Sequence, residues 1–298
     1  MWSSMKDPSD TPLVDAQVHA WVSSTPRFPW SEQHLRRLPA RLRPLYETGD
    51  HSAERVVVMM DEAGVDVAVL TSTFLYGTDP SYALDAAARF PGRFVVVAYV
   101  DDTVPDLASY LDWTVGQRDL VGLRVFLGTP DAGAPGRGVG AGSFLEDVAD
   151  AGLPLFVSPM GSLDRLAALA TSRPATPIVV DHLGLWIDAP RERRWRLADQ
   201  VLALAAIPNI HIKCSAAPEL SRERFPFPDV LALLDRYVAA FGTDRLLWGS
   251  DINQHLDSLS YADAVDYVRC HRAWSAEQRA MLLGGTAVRL LGLAGPSR

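Results

Sequence analysis

Short apolar runs with the character of β-strands recur eight times along the chain, and stretches with helical periodicity separate most of them. The predicted strands are residues 13–19, 65–71, 94–100, 122–126, 154–158, 178–182, 210–215 and 246–251. The predicted helices include residues 52–63, 82–89, 144–151, 163–171, 191–206 and 229–241. Strands that alternate with helices imply right-handed βαβ units and a parallel sheet. Eight of them without an intervening linker predict one α/β domain over residues 1–298, a single (β/α)8 TIM barrel that tolerates some distortion.

Two connections are longer than a barrel requires. Residues 22–50 form a long loop after strand one, and residues 128–142 follow strand four. Both are expected on the C-terminal rim, where barrel active sites are built, so both are candidate lids. The alternative for each is a surface insertion without a role. The second connection lacks the GK[ST] ending of a phosphate-binding loop.

The first predicted strand carries polar residues where a barrel strand is normally apolar. Two-residue alternation sends the polar and aromatic members to one face, namely Asp15, Gln17, His19 and Trp21. It sends the small and apolar members to the other face, namely Val14, Ala16, Val18 and Ala20. Buried polar groups are costly unless they find partners, so polar side chains from elsewhere in the chain are expected to meet the first face.

The C-terminal ends of the later strands can supply those partners. The same alternation selects, from strands four to eight, Arg124 and Phe126, Phe156 and Ser158, Val180 and His182, Lys213 and Ser215, and Gly249 and Asp251. One ionisable residue at a strand end is often only a cap, but several at one rim indicate a site. Strand eight gives the sharpest signal, because its apolar run ends in the Asp251 carboxylate, a candidate general base for water. The competing interpretation is that Asp251 caps the segment that follows it.

Composition narrows the range of partners. The formal net charge of −8 excludes the basic surface that nucleic-acid binding requires, although a small group of arginines lies within residues 22–50. The two cysteines, Cys214 and Cys270, form no disulfide framework and predict a reducing, cytoplasmic setting. No apolar run approaches the length of a membrane span. We therefore expect a small-molecule substrate, and homo-oligomer formation is left open.

Four stretches resemble the amidohydrolase superfamily, in the amidohydrolase-2 branch that includes sugar-lactone and pyrone-dicarboxylate lactonases and aminocarboxymuconate-type decarboxylases. They are VDAQVHAW (14–21), GLRVF (122–126), VVDHLG (179–184) and LLWGSD (246–251). The family pattern has D-x-H-x-H-x-W on strand one, D-H-x-G on strand six and G-[ST]-D on strand eight. The similarity spans nearly the whole chain, and it implies a TIM-barrel enzyme.

Two departures from the family pattern concern metal binding. Gln17 stands where the pattern has its first strand-one histidine, and Ser158 stands where metal-dependent members place a histidine at the end of strand five. Of the ligands that the resemblance implies for a mononuclear zinc site, only His19 and Asp251 remain. A catalytic zinc normally takes three protein ligands and a water. We therefore favour a site without a cofactor, and a single weakly bound divalent ion such as zinc is the alternative.

The favoured hypothesis is the metal-independent hydrolysis of a lactone or a similar activated ester. Asp251 would take a proton from water, while His19 and His182 orient the water and one of them donates to the leaving oxygen. Arg124 and Lys213 would stabilise the oxyanion or bind a carboxylate of a carboxylated or polyoxygenated substrate. The remaining predicted substrate-binding residues are Gln17, Ser158, Trp21 and Tyr76.

Two alternatives stay open on the sequence alone. One is a decarboxylase or other lyase with a weakly bound divalent metal, which would use the same residues to protonate a carbanion. The other is a non-catalytic barrel that only binds a ligand. The presence of His19, His182 and Asp251 together argues against the second alternative.

Overall fold

The computed structural model describes residues 11–38, 43–47, 51–128, 143–185, 191–254 and 259–293, except for the side chains of 191–193 and 254. Eight strands are paired in parallel and follow one another in chain order. They are β1 (Val14–Val18), β2 (Val67–Thr71), β3 (Phe94–Tyr99), β4 (Leu120–Phe126), β5 (Leu155–Ser158), β6 (Ile178–Val180), β7 (Ile210–Ser215) and β8 (Leu246–Gly249). The end of β8 returns to β1, where the Asp251 N–H donates to the Gln17 carbonyl over 2.9 Å. The predicted (β/α)8 TIM barrel is confirmed.

Helices surround the barrel. They are α1 (Glu32–Leu35), α2 (Arg43–Glu47), α3 (Ala53–Ala63), α4 (Ser81–Arg89), α5 (Leu107–Val115), α6 (Phe144–Ala149), α7 (Leu163–Ser172), α8 (Arg191–Ala203), α9 (Pro228–Phe241), α10 (Tyr261–Arg269), α11 (Ala276–Ala280) and α12 (Thr286–Leu291). The predicted helices are present, with ends that differ by up to three residues. The sequence pattern gave no range for α5 or for the helices after β8. Among the described residues, no helix has both the length and the apolar character needed to cross a membrane.

The two predicted lids lie only partly within the described residues. Helices α1 and α2 lie in the long loop after β1, of which residues 39–42 and 48–50 are outside the described residues. Nearly all of the second predicted lid, residues 129–142, is also outside them. The role of both connections therefore stays a prediction.

A shift in the pairing of β1 with β2 changes which side chains face the barrel interior. The register moves between Asp15 and Val18, so that three steps along β1 match two along β2. Val14 and Ala16 pack in the apolar layer inside the barrel, whereas Val18 packs in the layer between the sheet and the helices. The prediction of strict alternation along β1 is therefore wrong. A bulge at the midpoint of the strand reverses which of the later side chains point into the barrel.

Strand β6 is one residue out of phase with the prediction. Val179 packs inside the barrel and Val180 packs against the helices, so the next inward side chain is Asp181. The sequence pattern had selected Val180 and His182 instead. His182 reaches the mouth because the backbone leaves the strand there, and φ lies between +51° and +70° from His182 to Gly184. This left-handed run is rare outside glycine, and it turns the His182 side chain back towards the barrel axis.

Gly249 allows β8 to lie against its two neighbouring strands. A Cβ at this position would lie 3.0 Å from the Gln17 Cβ and 3.2 Å from the Ser215 Cβ. Both neighbours belong to strands of the closed barrel, so neither can move away without disturbing the sheet. The absence of a side chain at Gly249 therefore sets the distance between β8, β1 and β7 at the polar end of the barrel.

Replacing Gly249 with alanine should destabilise the barrel. We expect Gly249→Ala to lower the free energy of unfolding by about 1–3 kcal/mol, because the added methyl group overpacks the contact with Gln17. The measurement is a urea titration followed by circular dichroism. Gly116→Ala is the control, since Gly116 has a helical φ of −76° and its Cβ would come no closer than 3.4 Å to another atom. Equal stability of the two variants would contradict the close-approach argument.

Candidate active site

The C-terminal mouth of the barrel collects most of the side chains that the sequence predicted for a site. The buried members that contact or face one another are Gln17, His19, Arg124, His182, Lys213 and Asp251. Asp181, which the sequence pattern missed, lies at their centre and is fully buried. Its signal was present in the sequence, because it directly precedes His182 in a motif already noted there.

His19 is held with one defined tautomer. Its Nδ1 lies 2.7 Å from the backbone carbonyl of Thr71, which can only accept a hydrogen bond, so Nδ1 carries the proton. The Nε2 of the neutral ring is then an acceptor, and it lies 3.0 Å from the Gln17 Nε2. The His19 backbone N–H donates to the Asn253 Oδ1 over 2.7 Å, which ties the end of β1 to the segment after β8.

The orientation of the Gln17 amide follows from its other neighbours. The Lys213 ammonium, which can only donate, binds the Gln17 Oε1, and the Thr71 hydroxyl donates to the same oxygen over 3.3 Å. The Gln17 NH2 group must therefore face His19, where it donates to the Nε2 lone pair. The amide of Gln17 links the cation to the imidazole.

The negative charge of Asp181 offsets the positive charges of two buried side chains. Its Oδ2 accepts from the Arg124 Nε over 2.7 Å, and its Oδ1 lies 2.7 Å from the Lys213 Nζ. Burial alone would raise the pKa of Asp181, but the charges of Arg124 and Lys213 outweigh it and hold that pKa below its usual value. Burial lowers the pKa of Lys213, and Asp181 opposes that shift. Arg124 and Lys213 are thus tied to an internal carboxylate, whereas the sequence pattern had assigned them to substrate.

The two cations also lie over aromatic rings. The Arg124 guanidinium carbon is 4.7 Å from the centre of the Phe126 ring, and the Lys213 Nζ is 4.8 Å from the centre of the Phe156 ring. These contacts add an attraction that does not require a second anion.

His182 is fixed by Ser215 and by its unusual backbone. The Ser215 Oγ accepts from the His182 backbone N–H over 3.3 Å and lies 2.9 Å from the His182 Nδ1. A serine hydroxyl has one hydrogen and two lone pairs, so it can donate to Nδ1 while it accepts from the backbone, and in that tautomer the imidazole proton lies on Nε2. Tyr237 of α9 holds the left-handed turn from behind by donating to the Leu183 carbonyl over 2.8 Å.

Asp251 directs its carboxylate into this cluster from a strained position. Its φ is +53°, a conformation that non-glycine residues rarely adopt, and the hydrogen bond from its N–H to the Gln17 carbonyl holds it there. The side chain is fully buried, and its Oδ1 lies 3.5 Å from the His19 Nε2. The carboxylate that follows β8 and the imidazole that follows β1 therefore lie close together, as the sequence predicted.

Both imidazoles of the mouth are neutral at ordinary pH. Burial lowers the pKa of His19 to about 3, with further lowering by the charges of Arg124 and Lys213. Burial likewise lowers the pKa of His182 to about 3, and the same two cations act against the attraction of Asp181. Neither ring is a ready source of a proton near neutral pH.

Three further residues were predicted to bind substrate, and each has a different setting. Ser158 ends β5, pairs with Phe126 and is half-buried. Trp21 is buried in the outer layer, where it stacks on His51 with the ring centres 4.9 Å apart. The Tyr76 hydroxyl accepts from the Val22 N–H over 3.0 Å, at the start of the long loop after β1. A substrate contact of these three side chains stays a prediction.

A second polar cluster at the rim was not foreseen from the sequence. The Asp101 carboxylate, directly beyond β3, accepts from the Tyr99 hydroxyl over 2.8 Å and lies 3.1 Å from the His34 Nε2. His34 belongs to α1, so this contact joins the long loop to the barrel. The hydrogen bonds from His34 and its other neighbours offset burial and lower the pKa of Asp101 to about 2.

The donor set does not fit a catalytic metal ion. His19 Nε2 and Asp251 Oδ1 are close enough to share a cation, but the lone pair of that nitrogen already accepts from the Gln17 amide. Within the described residues, no three His, Cys, Asp or Glu side chains form a group that could hold a metal. The ammonium of Lys213 beside Gln17 would in addition repel a divalent cation.

Removing the central carboxylate should destabilise the protein strongly. We expect Asp181→Asn to lower the free energy of unfolding by about 3–5 kcal/mol, because Arg124 and Lys213 would remain buried without a compensating charge. Asp150→Asn is the matched control. Asp150 binds the Arg173 Nε over the similar distance of 2.8 Å but is 55% exposed, so its loss should change stability by less than about 1 kcal/mol. Comparable losses in urea titrations of both variants would contradict the role of Asp181.

Acidic pH should also destabilise the fold. The pKa values of His19 and His182 are about 3 in the folded protein, so between that pH and their ordinary pKa the unfolded chain binds more protons. The free energy of unfolding should therefore fall as the pH is lowered from about 6.5 towards 4, by up to about 1.4 kcal/mol per pH unit for each ring. Urea titrations across this range measure the slope. His182→Asn should make it shallower, and an unchanged slope would show that His182 is protonated in the folded state.

Comparisons with known proteins identify the family of this chain. The sequence profile of the family described as Amidohydrolase matches residues 14–293. Two relatives named L-fucono-1,5-lactonase, from Burkholderia ambifaria and Burkholderia multivorans, are 26% and 25% identical, and each comparison covers 95% of this chain and 97% of the relative. A zinc-bound amidohydrolase structure from Burkholderia multivorans superposes with a TM-score of 0.71 at 22% identity, over 95% of this chain and 100% of that one. That likeness shows the shared fold, and the family match, which spans nearly all of the chain, shows that this protein belongs to the amidohydrolase family.

Proposed function

We propose that this amidohydrolase hydrolyses a lactone without a metal ion and uses Asp251 as its general base. The observation that carries the proposal is the buried Asp251 carboxylate at the barrel mouth, 3.5 Å from a neutral His19 ring. A positioned carboxylate within reach of a water molecule is a common arrangement for proton abstraction. The names of the two L-fucono-1,5-lactonase relatives support a lactone as the substrate.

In the first step Asp251 removes a proton from water as the water oxygen bonds to the lactone carbonyl carbon. His19 does not compete for this proton, because its Nε2 already accepts from Gln17 and its pKa is about 3. Its contribution is to hold the Gln17 amide in a fixed position and to present a neutral, rather than a cationic, ring to the Asp251 carboxylate. The carbonyl oxygen gains negative charge and needs a donor.

His182 is the proposed donor to that oxygen. We assign the tautomer in which the Ser215 hydroxyl donates to Nδ1, so that the neutral ring offers its Nε2–H as the donor. A neutral imidazole can stabilise an oxyanion through such a hydrogen bond without giving up its proton. Arg124, which is bound to Asp181 through Nε, adds positive charge on the same side of the barrel.

The proton then returns from Asp251 to the ring oxygen of the lactone. The carbon–oxygen bond of the ring breaks as that oxygen takes the proton, which yields an open-chain hydroxy acid and restores the carboxylate. A histidine with a pKa near 3 is a neutral imidazole at neutral pH and has no imidazolium proton to give to the leaving oxygen, so Asp251 serves both steps. The sequence-based hypothesis had instead assigned the second step to a histidine.

The charges of the mouth favour an uncharged, hydroxyl-bearing lactone over a carboxylated one. The positive charges of Arg124 and Lys213 are matched by the negative charges of Asp181 and Asp251. A carboxylate on the substrate would be an additional buried anion without its own cation. Of the two substrate classes that the sequence left open, the polyoxygenated one is therefore proposed.

The decisive experiment measures turnover without metal. Wild-type protein treated with a chelator should hydrolyse L-fucono-1,5-lactone or another neutral sugar lactone at an unchanged rate, and should hydrolyse a carboxylated lactone more slowly. Asp251→Asn should lower kcat by about a thousandfold or more, since it removes the base.

Asp235→Asn is the control for that substitution. Asp235 also pairs with a histidine, His271, over 2.9 Å, but it lies on α9 away from the barrel mouth. This variant should keep the wild-type rate. Loss of activity after chelation, or full activity of Asp251→Asn, would overturn the proposal.

A further inference from the structure

We propose that Asn253 binds the carbonyl oxygen of the substrate through its Nδ2 and is a second oxyanion donor of this site. The proposal rests on the lactone hydrolysis proposed above. Asn253 follows Asp251 by two residues, in the short turn Ile252–Gln254 after β8, and none of the sequence motifs drew attention to it.

The orientation of the Asn253 amide is fixed by β1. The His19 backbone N–H can only donate, and it lies 2.7 Å from the Asn253 Oδ1. The oxygen of the amide must therefore face His19, and the NH2 group occupies the other branch of the same planar amide. This leaves Nδ2 as the donor that Asn253 can offer to another molecule.

That donor has no hydrogen-bond acceptor among the described residues, although the side chain is 99% buried. Asn253 is 1% exposed, and its Nδ2 is enclosed. A buried donor without a partner destabilises a protein by about 1–3 kcal/mol, so most such groups are satisfied in native structures. The neighbouring amide of Gln17 shows the contrast, because both of its ends are bonded within the site.

The position of Asn253 explains what its acceptor would be. Its amide oxygen touches the backbone of His19, and the side chain of that residue faces the Asp251 carboxylate. Asn253 is also only two residues from Asp251, so we place the acceptor of Nδ2 beside the group that activates water. In ester hydrolysis, the carbonyl oxygen becomes negatively charged as water attacks the carbonyl carbon, so it becomes a stronger hydrogen-bond acceptor. His182 from beyond β6 and Asn253 from beyond β8 would then both donate to it.

The test removes the NH2 donor of Asn253 and keeps the oxygen that accepts from the His19 N–H. Asn253→Asp keeps an oxygen for the His19 N–H but replaces the NH2 group with a second oxygen. We expect kcat for the neutral sugar lactone to fall by about a hundredfold or more with little change in KM, as for the loss of an oxyanion donor elsewhere. The loss should persist at every pH of the profile, which distinguishes it from an altered ionisation of Asp251 next to a new carboxylate.

Asn209→Asp is the matched control. The Asn209 Nδ2 donates to three backbone carbonyls, those of Ala170, Arg173 and Thr176, over 2.9–3.1 Å. The same substitution there should lower the melting temperature and leave kcat unchanged. Asn253→Asp should show the opposite pattern.

Each outcome decides the matter. If the wild type is active and Asn253→Asp keeps its kcat, or regains it fully at higher pH, Asn253 is not an oxyanion donor. If the wild type hydrolyses no lactone at all, the proposed function fails and this inference fails with it. A loss of kcat confined to Asn253→Asp supports the assignment.

Discussion

The Asp181 carboxylate, buried beyond the end of β6, determines how the barrel mouth is arranged. It holds Arg124 and Lys213 at 2.7 Å each, and Lys213 in turn orients the Gln17 amide. That amide occupies the Nε2 lone pair of His19, which leaves the ring neutral and opposite Asp251. An internal ammonium group thus lies one amide away from the His19 nitrogen that a divalent cation would need, and the proposed metal-free chemistry depends on this chain of contacts.

The fold and the main site residues could be predicted because they depend on local periodicity. Eight apolar runs gave the barrel, and their polar ends gave His19, Lys213 and Asp251 at one mouth. Irregular backbone could not be predicted in this way. The bulge in β1 reverses which of its side chains point into the barrel. In β6, alternation alone assigned Asp181 to the outer face, but its side chain points inward. Asn253 escaped notice because its partner His19 is 234 residues away.

Strained backbone marks the two residues that the mechanism uses most. Asp251 and His182 have φ values of +53° and +51°, and each position costs free energy that neighbouring contacts must offset. The Gln17 carbonyl fixes the first, and Tyr237 fixes the turn that contains the second. The same contacts that close the barrel therefore also aim the reactive side chains, which links the stability of the fold to the geometry of the site.

Calorimetric titration of zinc into the wild type and into Gln17→His tests the metal-free site most directly. The wild type should show no zinc binding that depends on Asp251, because the Gln17 amide already uses the His19 lone pair. Gln17→His should gain a zinc site, since it frees that lone pair and adds an imidazole ligand. One tightly bound zinc in the wild type that disappears in Asp251→Asn would contradict the account.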